Sequence, residues 1–403
     1  MNEHSRTQTA PTTSELDVVV VGGRCAGAAT ALLLARQGHD VLVLERGQMP
    51  SDTLSTHAIG LNGMVQLDRW GLLPSLVEAG TPPIRNLTFR VGEDVIVRSI
   101  KERFGIDMLL APRRHVLDTL LVDAAVAAGA KLRTGVTIDG VLRSDTGRVT
   151  GVHGQNRHGA RLQIEAAFVV GADGRGSRIA RAVDARFTEV RQANHSSTYY
   201  AYFSGHWPAM KYYLGDRAFA GVFPTNHGEA CIWVCLPADK ADRFRRRHLT
   251  LDGAFDAMLR DASPELAERI RTNATRRSVT RGASRLPNHL REPVGPGWAL
   301  VGDAGYHRDP ITGQGISDAF RDADLLATAV DGVLRGDVDE AIAFTEYHQL
   351  RDLMLREVFE ITCELVTFPP AARFIELQKQ LSMAIEAQAA VLATRTQLMQ
   401  AAA

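Results

Sequence analysis

Apolar runs and apolar-periodic stretches alternate along the first part of the chain. Val18 to Val21 is a continuous apolar run ending in glycine, the pattern of a strand buried on both faces. Small and apolar residues then recur at helical spacing from Ala26 to Gln37 and stop at Gly38, and Val41 to Leu44 is the next apolar run. Strand, helix and strand in that order predict a βαβ unit with a right-handed crossover. A second amphipathic helix is predicted from His115 to Ala128, stopped by Gly129. From Lys131 to Val170, short strands broken by Gly- and Asn-containing turns predict a β-meander, which ends at Val169-Val170-Gly171-Ala172-Asp173-Gly174. Asn86 to Ile100 alternates as strands, and Thr198 to Cys235 is rich in aromatic and β-branched residues. Both are assigned to one separate, mostly antiparallel sheet, inserted twice into the first domain. A further helix is predicted from about Ile316 to Leu334, and from Val338 onward the chain reads as helical.

Composition narrows the picture by exclusion. The chain has 403 residues, and 46 Lys+Arg balance 46 Asp+Glu. A formal net charge of zero argues against a nucleic-acid or anionic-membrane partner reached by bulk charge. No apolar run approaches the ~20 residues of a membrane helix. Residues 1–15 are polar with no apolar signal core, and read as a disordered lead-in to a cytoplasmic protein. The four cysteines are scattered and form no Cys-x-x-Cys, so neither a disulfide framework nor a metal site is expected.

The most informative stretch is Gly302-Asp303-Ala304-Gly305-Tyr306-His307-Arg308-Asp309-Pro310-Ile311-Thr312-Gly313-Gln314-Gly315-Ile316-Ser317. An apolar run, Trp298 to Val301, leads into Gly-Asp and then a Gly-rich turn that opens a helix. A carboxylate at a strand end suits a polyol. A helix N-terminus with free N–H groups suits an anion or a polarised ring carbonyl. Ribitol joined to an isoalloxazine ring asks for both together. Near the N-terminus, Gly22-Gly23-Arg24-Cys25-Ala26-Gly27 stands where a G-x-G-x-x-G dinucleotide fingerprint belongs, after a strand and before a helix. Gly22 and Gly27 fit the first and third glycines, but Arg24 holds the middle place. Its side chain must either point away or itself contact phosphate or ring. Glu45, 23 residues after Gly22, is the acid expected on the adenosine ribose hydroxyls. Asp173-Gly174, ahead of the basic run Arg175-Gly176-Ser177-Arg178, is a second strand-end carboxylate. It reads either as a β-turn with an Asx cap or as a contact to the flavin side and an incoming pyridine nucleotide.

In this order the three motifs resemble those of the single-component FAD-dependent monooxygenases of the para-hydroxybenzoate hydroxylase fold, a fold shared with geranylgeranyl reductases and flavin-dependent halogenases. The resemblance covers about Asp17 to Leu334. It implies an α/β fold with an α+β substrate part. A Rossmann-like FAD-binding domain (16–85, 101–187 and 281–335) is interrupted by an antiparallel β-sheet substrate domain (86–100 and 188–280). A C-terminal helical region (336–403) follows. It implies that Gly22, Gly27 and Glu45 hold the ADP half of FAD, with Arg24, Cys25, Ala26 and Arg46 in the same cofactor-binding set. Arg114, in the pattern R-x-x-L, matches the family arginine that contacts FAD, with Arg113 a close rival. Asp173 and Gly302 belong to the same cofactor set, and Asp303 is expected on the ribityl chain. Pro310 is expected to line the flavin, and Gly313, Gly315 and Ile316 to offer N–H groups to its N1–C2 edge. Reduced flavin carries negative charge near N1, which the positive end of a helix stabilises. Ser317 stands where the family often has Asn. His57, in Ser55-Thr56-His57, either steers the ring, acts as an acid or base, or is a satisfied structural histidine. His307 and Asp309 are candidate proton-handling groups, although Arg308 could pair with Asp309. The catalytic candidates are therefore His57, His307 and Pro310.

The strand Phe219-Ala220-Gly221-Val222-Phe223-Pro224 bears on the reaction. Geranylgeranyl reductases resemble Y-x-W-x-F-P here, and halogenases resemble W-x-W-x-I-P with a lysine well before it. This chain gives F-x-G-x-F-P. Gly221 is expected to open room for a bulky aromatic or polycyclic substrate, walled by Tyr200, Tyr202, Tyr212 and Phe223. A single dinucleotide fingerprint implies that NAD(P)H docks transiently, with Arg243-Phe244-Arg245-Arg246-Arg247-His248 either a phosphate receiver or a solvated helix face. The expectation is a monooxygenase, a monomer or homodimer, that hydroxylates or epoxidises a small molecule with dioxygen through a flavin C4a-hydroperoxide. The alternatives are an alkene reductase of geranylgeranyl-reductase type and a non-catalytic flavin redox sensor.

Overall fold

The computed structural model describes residues 16–191 and 195–401, so the lead-in expected at 1–15 lies outside the described residues. The Leu16–Val21 strand pairs in parallel with Val41–Glu45 on one side and Arg161–Gly171 on the other. Lys131–Thr134 and Trp298–Leu300 extend this sheet in parallel at its two flanks. Parallel strands bring their carboxyl ends to one edge, and the register aligns Val21, Leu300 and Gly171. The three motifs therefore leave the sheet side by side, where α/β sheets place ligands. Apolar residues of the helices Cys25–Arg36, Arg114–Ala127 and Gly315–Leu334 bury one face of the sheet. The meander of Val136–Arg143, Val149–Asn156 and Arg161–Gly171 covers the other.

The second sheet is built from both inserted segments. Asn86–Val91 pairs with Met210–Gly215, and Asp94–Ser99 lies beyond it as an exposed edge strand. Ser196–Ser204, Glu229–Pro237 and Ala218–Pro224 form its antiparallel centre. Helices Ala238–Arg247, Leu251–Ala262 and Pro264–Asn273 pack on one face. Helices Glu340–Leu365 and Ala371–Ala401 pack on the other, where they meet Ile311 of the flavin loop. A third small sheet consists of Phe187–Arg191, Asn288–Arg291 and Tyr306–His307 and carries His307. Its strands are too short to show a period, so the sequence offers no sign of it.

Beneath the flavin loop lies a buried charge network. Arg321, fully buried, reaches Asp318 at 3.0 Å, Asp322 at 2.8 Å and the Tyr306 hydroxyl at 2.7 Å. Asp322 in turn accepts from the Gly302 amide at 3.1 Å. Arg308 also pairs with Asp318, and not with Asp309 as the sequence suggested. Asp309 instead caps the Pro310–Thr312 turn through the Ile311 amide and accepts from Ser196 Oγ at 2.5 Å.

Candidate active site

The strand ends open onto a cavity of about 600 Å³. Gly22 stands there at φ 106°, and a β-carbon on it would meet the Ala172 carbonyl oxygen at 2.4 Å, so only glycine fits this turn. Gly27 lies behind the wall: a β-carbon there would sit 1.8 Å from the Gly22 carbonyl oxygen, so it allows helix and strand to close together. Cys25 and Ala26, first in the helix, face the cavity. Glu45 also lines it and accepts from the Gly23 amide at 2.8 Å and the Gly47 amide at 2.7 Å. These bonds fix a carboxylate that retains lone pairs for further donors. Arg46 lies alongside.

Arg24 does not point away. Its guanidinium lines the cavity and is held by Ser51 and by Asp118, at 3.0 Å. Arg114 lines the same wall and grips the same Asp118 at 3.0 Å. Burial alone would lower the Arg114 guanidinium, but Cys25, Asp118 and Asp303 more than reverse that, so its charge is secure. Arg113, the rival, is turned elsewhere. It pairs with Asp52 and Glu229 and stacks over the Tyr202 ring at 3.5 Å from the centroid. Asp118, with no exposed surface, is a residue that motif reading missed. Its signal was its place four residues after Arg114 on one helix face.

Asp303 is exposed into the cavity, a carboxylate available to a polyol. Gly302, at φ 56°, lies behind it, its amide committed to Asp322. Asp173 lines the cavity, but its oxygens take Ser177 Oγ at 2.5 Å and the Arg178 amide at 2.6 Å. Ser177 is the N-cap of the short Arg178–Ala182 helix, and Asp173 braces it through these bonds while facing the cavity. Pro310, Gly313, Gly315 and Ile316 line the far end. The first helical bond there runs from Asp318 N–H to Gln314 O, so the amides of the preceding turn have no intrahelical acceptor. A β-carbon on Gly315 would meet nothing within 4 Å, so the space beside the start of this helix is open.

His57 lines the cavity at φ 71°, a left-handed conformation that costs a β-carbon-bearing residue about 1–2 kcal/mol. Its Nε2 lies 2.5 Å from the Tyr202 hydroxyl. Burial, reinforced by the Arg114 charge, lowers its pKa to about 3, so the imidazole is neutral and not an acid at neutral pH. His307 Nδ1 donates to the Pro287 carbonyl at 2.5 Å, which leaves Nε2 the acceptor in the neutral ring.

The substrate wall departs from expectation. Tyr200 lines the cavity; Tyr202, Tyr212, Gly221 and Phe223 do not. Gly221 opens no room, because Trp233 stands directly opposite it across the antiparallel pair. A β-carbon on Gly221 would meet the indole at 2.4 Å. Trp233 meets Tyr212, Phe223 and Phe219 edge-on, Tyr212 stacks on Phe219, and Phe374 of the last helix closes on Phe219 at 5.0 Å. The basic run at Arg243 to His248 takes no part in the cavity; Arg245, Arg246 and Arg247 are exposed on a helix face.

A family model described as FAD binding domain matches residues 15–362. The chain belongs to this FAD-binding family. It is 30% identical over 339 residues to digeranylgeranylglycerophospholipid reductase 2 of Methanothermobacter thermautotrophicus, across 80% of each chain. It is 27% identical over 386 residues to kynurenine 3-monooxygenase of Salinispora tropica, across 83% of this chain and 76% of that one. The solved structure of the flavin-dependent brominase Bmp2 matches with a TM-score of 0.78 at 19% identity. That match covers 97% of this chain and all of the other, and it is a likeness of fold alone. The chain is thus an FAD-dependent oxidoreductase. Among the described residues no helix is long and apolar enough to cross a membrane, and no cluster of side chains could hold a metal ion.

Proposed function

We propose that this protein is an FAD-dependent monooxygenase that takes its electrons from NAD(P)H and transfers one oxygen atom of dioxygen to a small molecule bearing an electron-rich carbon or an alkene. The cavity's donor set fits FAD: basic groups beside Gly22 for the diphosphate, Glu45 for the ribose, open Asp303 for the ribityl chain, and first-turn amides with no intrahelical acceptor for the ring's pyrimidine edge. FAD, once reduced, supplies the activation of dioxygen. The chain's own part is to orient the ring and keep the reacting face free of water and of stray protons.

The observation that carries this reading is the wall beside Pro310. Thr198, Tyr200, Gly282, Ala283 and Leu286 give it an uncharged stretch with His57 held neutral, while Arg308 is paired with Asp318 and Asp309 accepts from Ser196 and the Ile311 amide. Oxygen transfer needs a reacting face shielded from water. Halide chemistry of the kind that resembles this fold calls for a lysine, and none lines the cavity among the described residues. The reductase relative favours a second reading, alkene reduction. Both reactions consume one proton per turnover, and they differ in whether dioxygen is consumed with it.

The test is turnover of candidate aromatic and alkene substrates with NAD(P)H under ¹⁸O₂. The expected product gains one labelled oxygen atom. Equal turnover without oxygen, giving a product heavier by two hydrogens, would establish the reductase instead.

A further inference from the structure

The nucleotide fingerprint of this chain carries Arg24 where a glycine normally lets backbone approach a diphosphate. The structure holds this arginine in place. Asp118, fully buried on the Arg114–Ala127 helix, accepts from Arg24 Nη1 at 3.0 Å and from Arg114 Nε and Nη2 at 3.2 and 3.0 Å. It also accepts from the Cys25 thiol at 3.1 Å. Ser51 fixes Arg24 from the opposite side, through its carbonyl at 2.5 Å and its hydroxyl at 2.7 Å.

A guanidinium has five donors. Three on Arg24 are engaged, which leaves Nε–H and one Nη2–H, and Arg114 binds Asp118 only through Nε and Nη2, which leaves Nη1. Two guanidinium charges share one carboxylate, so the cluster carries a surplus positive charge. Both side chains keep some exposure, 24% for Arg24 and 11% for Arg114, and both line the cavity. A rigid pair of forks with unspent donors and surplus charge beside Gly22 suits a dianionic diphosphate.

We infer that Arg24 and Arg114, clamped together by Asp118, form the seat for the FAD diphosphate, with side-chain donors replacing the backbone approach that the missing glycine would have given. Asp118 is a positioning residue: it makes two neighbouring cations tolerable while the seat is empty. This rests on the reading of the cavity as the FAD site.

The experiment measures FAD and riboflavin binding to the apoprotein by fluorescence quenching, since riboflavin lacks the diphosphate. Arg24→Gly restores the usual fingerprint yet is expected to weaken FAD binding 10- to 100-fold, about the worth of a hydrogen bond to a charged group, with riboflavin unchanged. Arg24→Lys should fall between the two, since it keeps the charge and loses the fork. An Arg24→Gly protein that binds FAD as tightly as the parent overturns the seat. For Asp118→Asn, the melting temperature of the apoprotein should drop more than that of the FAD-loaded protein, because the diphosphate takes over neutralisation of the two cations. Equal drops in both forms would make Asp118 merely structural and refute its assignment. A parent protein that takes up no FAD at all would instead defeat the cofactor reading beneath the inference.

Discussion

The two walls of the cavity are built by opposite rules. The nucleotide wall is charged and open: Arg24, Arg114, Glu45 and Asp303 reach it from strand ends and helix starts. The sheet wall behind Tyr200 is apolar and closed, with Trp233, Phe219 and Phe374 filling the space next to Gly221. On the first wall a side chain's place follows from its distance along the chain from a glycine. On the second it follows from what crosses over from a neighbouring strand. Gly22 and Gly27 are filled by backbone close in sequence or in strand order, whereas Gly221 is filled by the Trp233 side chain of a neighbouring strand.

The contrast can be broken hardest at its floor. Arg321→Ala leaves Asp318 and Asp322 buried with a partner lost, and is expected to cost about 3–5 kcal/mol in chemical denaturation. A loss under 1 kcal/mol would mean that the flavin loop does not depend on this network. Next comes the open wall itself. Asp303→Ala should weaken FAD binding by on the order of 100-fold and yield largely colourless protein, measured as flavin bound per chain. Undiminished FAD content would remove Asp303 from the site.

On the closed wall, Gly221→Ala should destabilise the protein by about 1–3 kcal/mol, because the added carbon meets the Trp233 indole. A neutral result in thermal melting would return Gly221 to the role of an open pocket. His57 sits where the walls meet and gives a pH signature. The unfolded chain protonates it near 6.5 and the folded protein only near 3, so acid favours unfolding across that window. Stability should fall as pH drops from 6.5 towards 3, by at most about 1.4 kcal/mol per pH unit from this group. His57→Phe should flatten that limb, and an unchanged pH profile would contradict the buried neutral imidazole. The smallest effect is expected at Arg245→Ala, exposed and outside the cavity: a stability change within about 0.5 kcal/mol and an unaltered KM for NAD(P)H. A raised KM would return the basic run to the docking of the reductant.

What was legible in the sequence follows the same divide. Leu16–Val21, Val41–Glu45 and the Cys25–Arg36 helix announce themselves by period and by their closing glycines, and the FAD family follows from Gly22, Glu45 and Asp303. Trp233 was invisible as the partner of Gly221 because the two residues are separated in sequence and meet only through strand register. The same holds for Asp118, which reaches Arg24 and Cys25 from 94 and 93 residues away. The sheet of Phe187–Arg191, Asn288–Arg291 and Tyr306–His307 has strands too short for any pattern. Asp309 is the partner that Arg308 could find as its chain neighbour, whereas packing of the loop on the Gly315–Leu334 helix delivers Asp318.

If the charged wall orients FAD along a line from Arg24 to Gly315, a crystal structure of the FAD-loaded protein will show it. The expected density places the diphosphate within hydrogen-bond reach of Arg24 and Arg114, the ribityl hydroxyls on Asp303, and the pyrimidine edge against the amides at Gly315 and Ile316. A diphosphate out of reach of both arginines, or a ring that presents another edge to that helix, would contradict the account.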